Sequence, residues 1–275
     1  MSVAGPSGWT ALGLGSVRVP RDALVMVLDD AGGGLGALSV ALVKGGVDVV
    51  YAADLDELIL LAREQPHPSV LLLAPNVLAL RVLGKLAKAL GLAPEAVLPW
   101  GSRPGDAEIE AFRAAGLRWS VWDCPNPEAA QYVVAAALWD LDKSELRFEA
   151  RMPTELPGML YLEGGSERMT VLDLGGGGIR VRCGRPLAPD AEVALRFRLA
   201  AREIEAGARV TWTRAGAGSS SDAGLAFERF EGDAEKRIRA EVSAWLARHR
   251  IAAREPAPAP ETQPAEAPPA ADPTD

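Results

Sequence analysis

The stretch VLDLGGGGIRV, residues 171–181, sets four glycines between two apolar, β-branched runs. A phosphate-cradling P-loop would follow its glycines with G-K-[ST] and a helix. Neither is present: GIRVRCG continues with alternate apolar and polar residues, the period of a strand. The glycines therefore lead into a strand, and the segment around them belongs to an all-β unit.

The same alternation extends outward from that point. MLYLEG, RMTVLDL, EVALRFRLA, EIEAGARVTWTRAG and AGLAFERF are short period-two runs separated by Gly, Pro and Asp. Six such runs predict an antiparallel barrel or sandwich. DAEKRIRAEVSAWLARHRI closes the unit as one amphipathic helix, with Ile238, Val242, Trp245 and Leu246 on one face and Asp233 as its N-cap.

Residues 21–140 follow a different rule. ALVMVLDD, VDVVYAAD, SVLLLAP, AVLPW and LRWSVWD are strand-like. They alternate with the helical runs ALSVALVKGG, LDELILLAREQ, VLALRVLGKLAKALGL, DAEIEAFRAAG and PEAAQYVVAAALWDL. Five strand–helix units predict a flavodoxin-like, doubly wound parallel sheet. The expected organisation is an N-terminal arm (1–20), an α/β domain (21–142), a β-barrel or sandwich domain with its C-terminal helix (143–251) and a tail (252–275). The tail, rich in Pro, Ala and acids, cannot bury a core and is expected to be disordered.

Composition narrows the function. The 275 residues carry a net charge of −8, which argues against a general nucleic-acid surface, so neither DNA nor RNA is expected as a partner. Cys124 and Cys183 are far apart, as are His67 and His249, and none has metal-ligand spacing, so no metal or cofactor is expected. No run reaches the ~18 apolar residues of a membrane span, and MSVAGPSGWTALGLG lacks the features of a signal peptide. A cytoplasmic protein is the expectation. No Ser/His/Asp or Cys–His set supports an enzyme.

Two motifs in the α/β unit carry chemistry. Gly32, Gly34 and Ala37 match G-x-G-x-x-A after the first strand, with Asp54 some twenty residues on, the outline of a dinucleotide fingerprint. The second motif explains more. Asp29 and Asp30 end the first strand as an acidic pair, and the unit resembles the receiver domain of bacterial response regulators. That resemblance places a phosphoryl-accepting Asp at the end of strand three, a Thr or Ser after strand four and a Lys after strand five. Here those places hold Ala74 or Pro75, a loosely placed Ser102, and Cys124. Without the carboxylate there is no acceptor, and Mg²⁺ loses an oxygen ligand. The resemblance thus implies a degenerate receiver used for docking or dimerisation.

In the β unit, LRFEAR sets Arg147 and Arg151 four apart on what reads as a mobile segment before the barrel. Asp173 follows in DLGGGG, then GARVTW, GLAFERF and the closing helix. This order resembles the PilZ family of bacterial cyclic di-GMP receptors, whose signature is R-x-x-x-R followed by D/N-x-S-x-x-G. The resemblance implies a six-stranded antiparallel barrel with a C-terminal helix. It also implies a ligand site at Arg147, Arg151, Asp173, Gly175 and Gly178. Guanidinium groups can bond guanine O6 and N7 or pair with phosphate, and Asp173 can accept from the guanine N1–H and N2–H₂ edge. Gly178 would supply positive φ or close backbone approach. Gly175 stands where the motif has serine, and losing one polar partner costs about 1–3 kcal/mol. Arg180 and Arg182 share a face of the next strand, as do Arg196 and Arg198, and could add a basic patch.

Together these features predict a signalling adaptor. Cyclic di-GMP would order the segment carrying Arg147 and Arg151 and alter a protein contact that controls motility, pili or another surface behaviour. The alternative is a ligand-independent scaffold built from the same domains.

Overall fold

The structure is a computed structural model that describes residues 9–12, 17–20, 23–29, 35–44, 47–64, 69–75, 90–123, 127–142, 150–216 and 219–251. The expected arm is not featureless: β1 (Trp9–Leu12) and β2 (Val17–Pro20) pair antiparallel as a small hairpin. The expected tail, Asp30, His67, Cys124, Arg147 and most of the helix expected at 77–92 lie outside the described residues.

The parallel sheet consists of β3 (Ala23–Leu28), β4 (Asp48–Ala52), β5 (Ser69–Pro75), β6 (Val97–Gly101) and β7 (Val121–Trp122). Its spatial order is β4-β3-β5-β6-β7. Counted within the unit that order is 2-1-3-4-5, one of the two common doubly wound orders. The continuous apolar run ALVMVL is buried at every position of β3, as befits a parallel strand covered on both faces. The helices are α1 (Leu35–Lys44), α2 (Leu55–Glu64), α3 (Asp106–Ala114) and α4 (Pro127–Asp142). Asp54 caps α2: its Oδ1 accepts the Glu57 N–H at 2.8 Å, while Glu57 Oε2 accepts the Ala53 N–H at 2.8 Å. This capping-box arrangement gives Asp54 a local structural task.

Helix α4 is largely apolar through its middle, where Gln131 and the Tyr132 hydroxyl are the polar groups, and such a helix must be covered on most sides. Residues 129–138 are all buried. It touches β2, β5 and α1 of the first unit and also the first barrel strand, β8 (Arg151–Leu162).

The barrel continues through β9 (Gly165–Gly175), β10 (Gly178–Cys183), β11 (Glu192–Leu199), β12 (Arg202–Ala215) and β13 (Ser221–Phe230). It is closed, in the order β10-β13-β12-β11-β8-β9. Along β11, alternate residues Val193, Leu195, Phe197 and Leu199 face the core, so the period-two pattern read from sequence is the one the barrel uses.

Helix α5 (Ala234–Ala247) shows how the two units meet. Ile238 and Val242 enter the barrel core, Leu246 packs on the core of the first unit, and Trp245 packs on both. Asp233 occupies the N-cap position but makes no side-chain cap; its carboxylate pairs with Arg237 one turn on, where a cation is available. Beyond α5 the chain returns to the parallel sheet. The Ser120 N–H donates to the His249 carbonyl at 2.8 Å, and the Ile251 N–H donates to the Arg118 carbonyl at 2.8 Å. The expected fifth strand over 117–123 is therefore only two residues long as a parallel partner. Its first half pairs antiparallel with residues from the far end of the chain. Ile251 is buried among Leu117, Trp122 and Phe112.

Candidate functional site

At the C-terminal end of the parallel sheet, Asp29 is buried and already has donors. Its Oδ2 accepts the Leu35 N–H at 3.1 Å and the Tyr51 hydroxyl at 2.9 Å, and that hydrogen bond raises the Tyr51 phenol above its ordinary range. Ala74 and Pro75, at the end of β5, sit in register with Pro99 and Trp100. The Trp100 indole N–H donates to the Leu28 carbonyl at 3.2 Å and so lies across the strand ends. Ser102 is exposed on the loop after β6. Of the fingerprint glycines, Gly32 and Gly34 lie outside the described residues, and Ala37 is within α1. Among the described residues no group of His, Cys, Asp and Glu is placed to hold a metal ion.

The second site is built on β8, β9 and β10. The sequence reading put Arg151 on a mobile segment; it is instead the first residue of β8, in register with Gly175 of β9. Strand pairing fixes its backbone and points its side chain at Asp173, two residues back along β9. Arg151 Nε donates to Asp173 Oδ1 at 2.7 Å, and Nη2 lies 2.6 Å from the same oxygen. Arg180, the direct cross-strand partner of Asp173, places Nε 2.9 Å from Oδ2. A further partner comes from the other unit: the Tyr132 hydroxyl of α4 donates to Oδ2 at 2.8 Å. All four side chains are interior, with exposures of 0% for Asp173, 3% for Tyr132, 4% for Arg180 and 9% for Arg151. Burial, then the neighbouring Asp173, push the Tyr132 phenol far above its ordinary value, so it remains a proton donor.

The glycines have separate duties. A Cβ on Gly178 would lie 2.6 Å from the Leu225 carbonyl oxygen, so this glycine lets β10 approach β13. Its role is close approach, since its φ is not positive. A Cβ on Gly175 would meet Arg151 Cγ at 3.0 Å and the Ala150 carbonyl at 3.1 Å. The residue that replaces the motif serine thus gives Arg151 room to lie across the turn. Arg239 of α5 lies over Gly176 in the same way.

The expected basic patch does not form as one surface. Arg180 is interior and faces Asp173, while Arg182, half exposed, pairs with Asp222 at 2.8 Å. Arg196 pairs with Glu205 at 2.7 Å, and Arg198 donates to the Ala201 carbonyl at 3.2 Å. Cys183 is buried and donates to the Arg185 carbonyl at 3.2 Å; burial pushes its thiol up to about 11. Sequence reading missed Tyr132. It lies in a run that reads only as a core helix, and its partner is 41 residues away.

Comparison with known proteins agrees with this barrel. Residues 145–244 match the family model for the PilZ domain, and the chain carries a PilZ domain over that range. No curated protein matches the chain. Among solved structures it is similar to the Bacillus subtilis inhibitor of motility MotI/DgrA (17% identity, TM-score 0.35, covering 38% of this chain and 53% of that one). It is similar to PlzA of Borreliella burgdorferi in complex with c-di-GMP (16%, 0.27, 41% and 47%). It is also similar to the PilZ domain of YcgR from Escherichia coli with c-di-GMP (14%, 0.29, 38% and 93%). The chain spans about half the length of the first two. Among the described residues no helix is long and apolar enough to cross a membrane.

Proposed function

We propose that this protein is a bacterial signalling adaptor whose PilZ domain binds cyclic di-GMP and passes the signal to a protein partner that governs motility or another surface behaviour. The observation that carries this reading is the gathering of Arg151, Asp173, Gly175 and Gly178 at one end of a barrel that matches the PilZ family over 145–244. In this reading Arg147, four residues before Arg151 in the sequence, supplies the motif's other guanidinium, a group that can take guanine edges or phosphates. The first unit is read as a degenerate, flavodoxin-like receiver in the cytoplasm. Its strand order supports this, and Ala74 and Pro75 in the acceptor's place remove phosphorylation from its repertoire.

A second reading, the ligand-independent scaffold, is favoured by one observation: both oxygens of Asp173 already accept from this chain's own donors. Calorimetric titration with cyclic di-GMP separates the two. The receptor binds at low micromolar concentration and Arg147→Ala abolishes binding without lowering the melting temperature. A folded protein that binds nothing at high ligand concentration is the scaffold.

A further inference from the structure

We propose that Tyr132 is an internal competitor for the ligand site: helix α4 delivers a hydroxyl to the carboxylate oxygen that the ligand's guanine edge would use. Cyclic di-GMP binding and this contact then exclude one another. The inference rests on the cyclic di-GMP reading above and adds its regulation.

A carboxylate offers about four acceptor directions. The Arg151 Nε donates to Asp173 Oδ1 and the Tyr132 hydroxyl donates to Oδ2, while Arg151 Nη2 and Arg180 Nε pair with the carboxylate by charge at 2.6 and 2.9 Å. Asp173 is fully buried, so a guanine N–H reaches its carboxylate only by displacing a group that covers it. Arg180 is fixed opposite Asp173 by the β9–β10 ladder, and Arg151 begins β8 opposite Gly175. Among the described residues shown to pair with Asp173, Tyr132 alone belongs to neither β8, β9 nor β10, and it leaves if α4 moves.

Such a movement has consequences elsewhere. The Tyr132 ring stands edge-on to Trp245 of α5, with centroids 6.5 Å apart and planes at 89°. Residues just beyond α5 hold the edge of the first unit's sheet through Ser120 and Arg118. Displacing Tyr132 would therefore act on the same helix that joins the barrel to the sheet. The two states differ by a hydrogen bond to a charged acceptor, which corresponds to about a ten- to hundredfold difference in affinity. A ligand can shift the arrangement by no more than its differential affinity for the two states.

The test compares the full chain with Tyr132→Phe, which removes the hydroxyl and keeps the ring against Trp245. Cyclic di-GMP is titrated into both, and melting curves confirm that both are folded. Tyr132→Phe is expected to bind about tenfold tighter or better. In the wild type, saturating ligand is expected to increase hydrogen exchange of amides 129–137, which a purely structural tyrosine would not produce. Equal affinity of the two proteins, with unchanged exchange in α4, overturns the competition and leaves the receptor reading standing. Binding by Tyr132→Phe alone supports both. No binding by either folded protein overturns the receptor reading and the competition with it.

Discussion

Arg180 and Asp173 face each other across β10 and β9, with Nε 2.9 Å from Oδ2 and both side chains interior. Removing one member of a buried charge pair leaves the rest uncompensated, at about 3–5 kcal/mol. Asp173→Ala would strand Arg151 and Arg180 together. We expect a loss of that size in urea unfolding. Arg182→Ala, which breaks the half-exposed pair with Asp222, is expected to cost about 0–1 kcal/mol. Similar losses for the two variants would contradict the interior cluster.

The two motif glycines should respond differently to substitution. Gly178→Ala drives a Cβ into a backbone carbonyl of β13, so the barrel seam must shift, at about 1–3 kcal/mol. Gly175→Ser restores the motif hydroxyl, and its Cβ meets Arg151 Cγ at 3.0 Å and the Ala150 carbonyl oxygen at 3.1 Å, a looser fit than the 2.6 Å approach at Gly178. Gly178→Ala is therefore expected to lower the melting temperature more than Gly175→Ser does. The reverse order would refute these separate duties.

The β11–β12 hairpin turns through Ala200 and Ala201, whose φ values are +47° and +63°. Two positive φ values are the requirement of a type I′ turn, which Asn-Gly meets without a Cβ penalty at its second position. Replacing Ala200-Ala201 by Asn-Gly is expected to stabilise the barrel by roughly 1–2 kcal/mol. Chemical denaturation that shows no gain would rule the strained turn out.

His249 gives a pH dependence of known sign. Desolvation first, then the nearby Arg248, lower its imidazole below the ordinary 6.5. The folded protein therefore takes up this proton less readily than the unfolded chain does. Its contribution is fully present above about pH 6.5 and declines as the pH falls below that value. Melting temperatures of the wild type should drop between about pH 6.5 and 5 more steeply than those of His249→Gln. Parallel slopes would show that His249 does not titrate in this way.

Ile251 belongs by sequence to the barrel's end and by packing to the first unit's core. Truncating such a buried side chain costs about 2–5 kcal/mol. Ile251→Ala is expected to destabilise the α/β unit and to speed exchange of the Ser120 amide, which donates to the His249 carbonyl. Unaltered exchange at Ser120 would mean that the C-terminal segment does not hold the sheet edge.

Much of this fold was legible because its elements declare themselves locally. The six alternating runs became β8–β13, and ALVMVL, with no polar face, became the central strand β3. The misses share a cause. The β1–β2 hairpin is four residues per strand, too short to display a period. Arg151 looked like part of a segment before the barrel because nothing in EARMPTE alternates, yet its ladder partner Gly175 lies 24 residues on.

The sequence by itself determined the two classes of unit, the barrel's strand count and the identity of the charged groups around the glycine turn. Those follow from side-chain periodicity and residue chemistry, which are local properties. Only the tertiary structure decided what Asp173 is bonded to, which glycine serves close approach, and that α4 and Ile251 bind one unit to the other. Contacts between residues such as Tyr132 and Asp173 depend on where separate elements come to rest, and no local pattern encodes that distance.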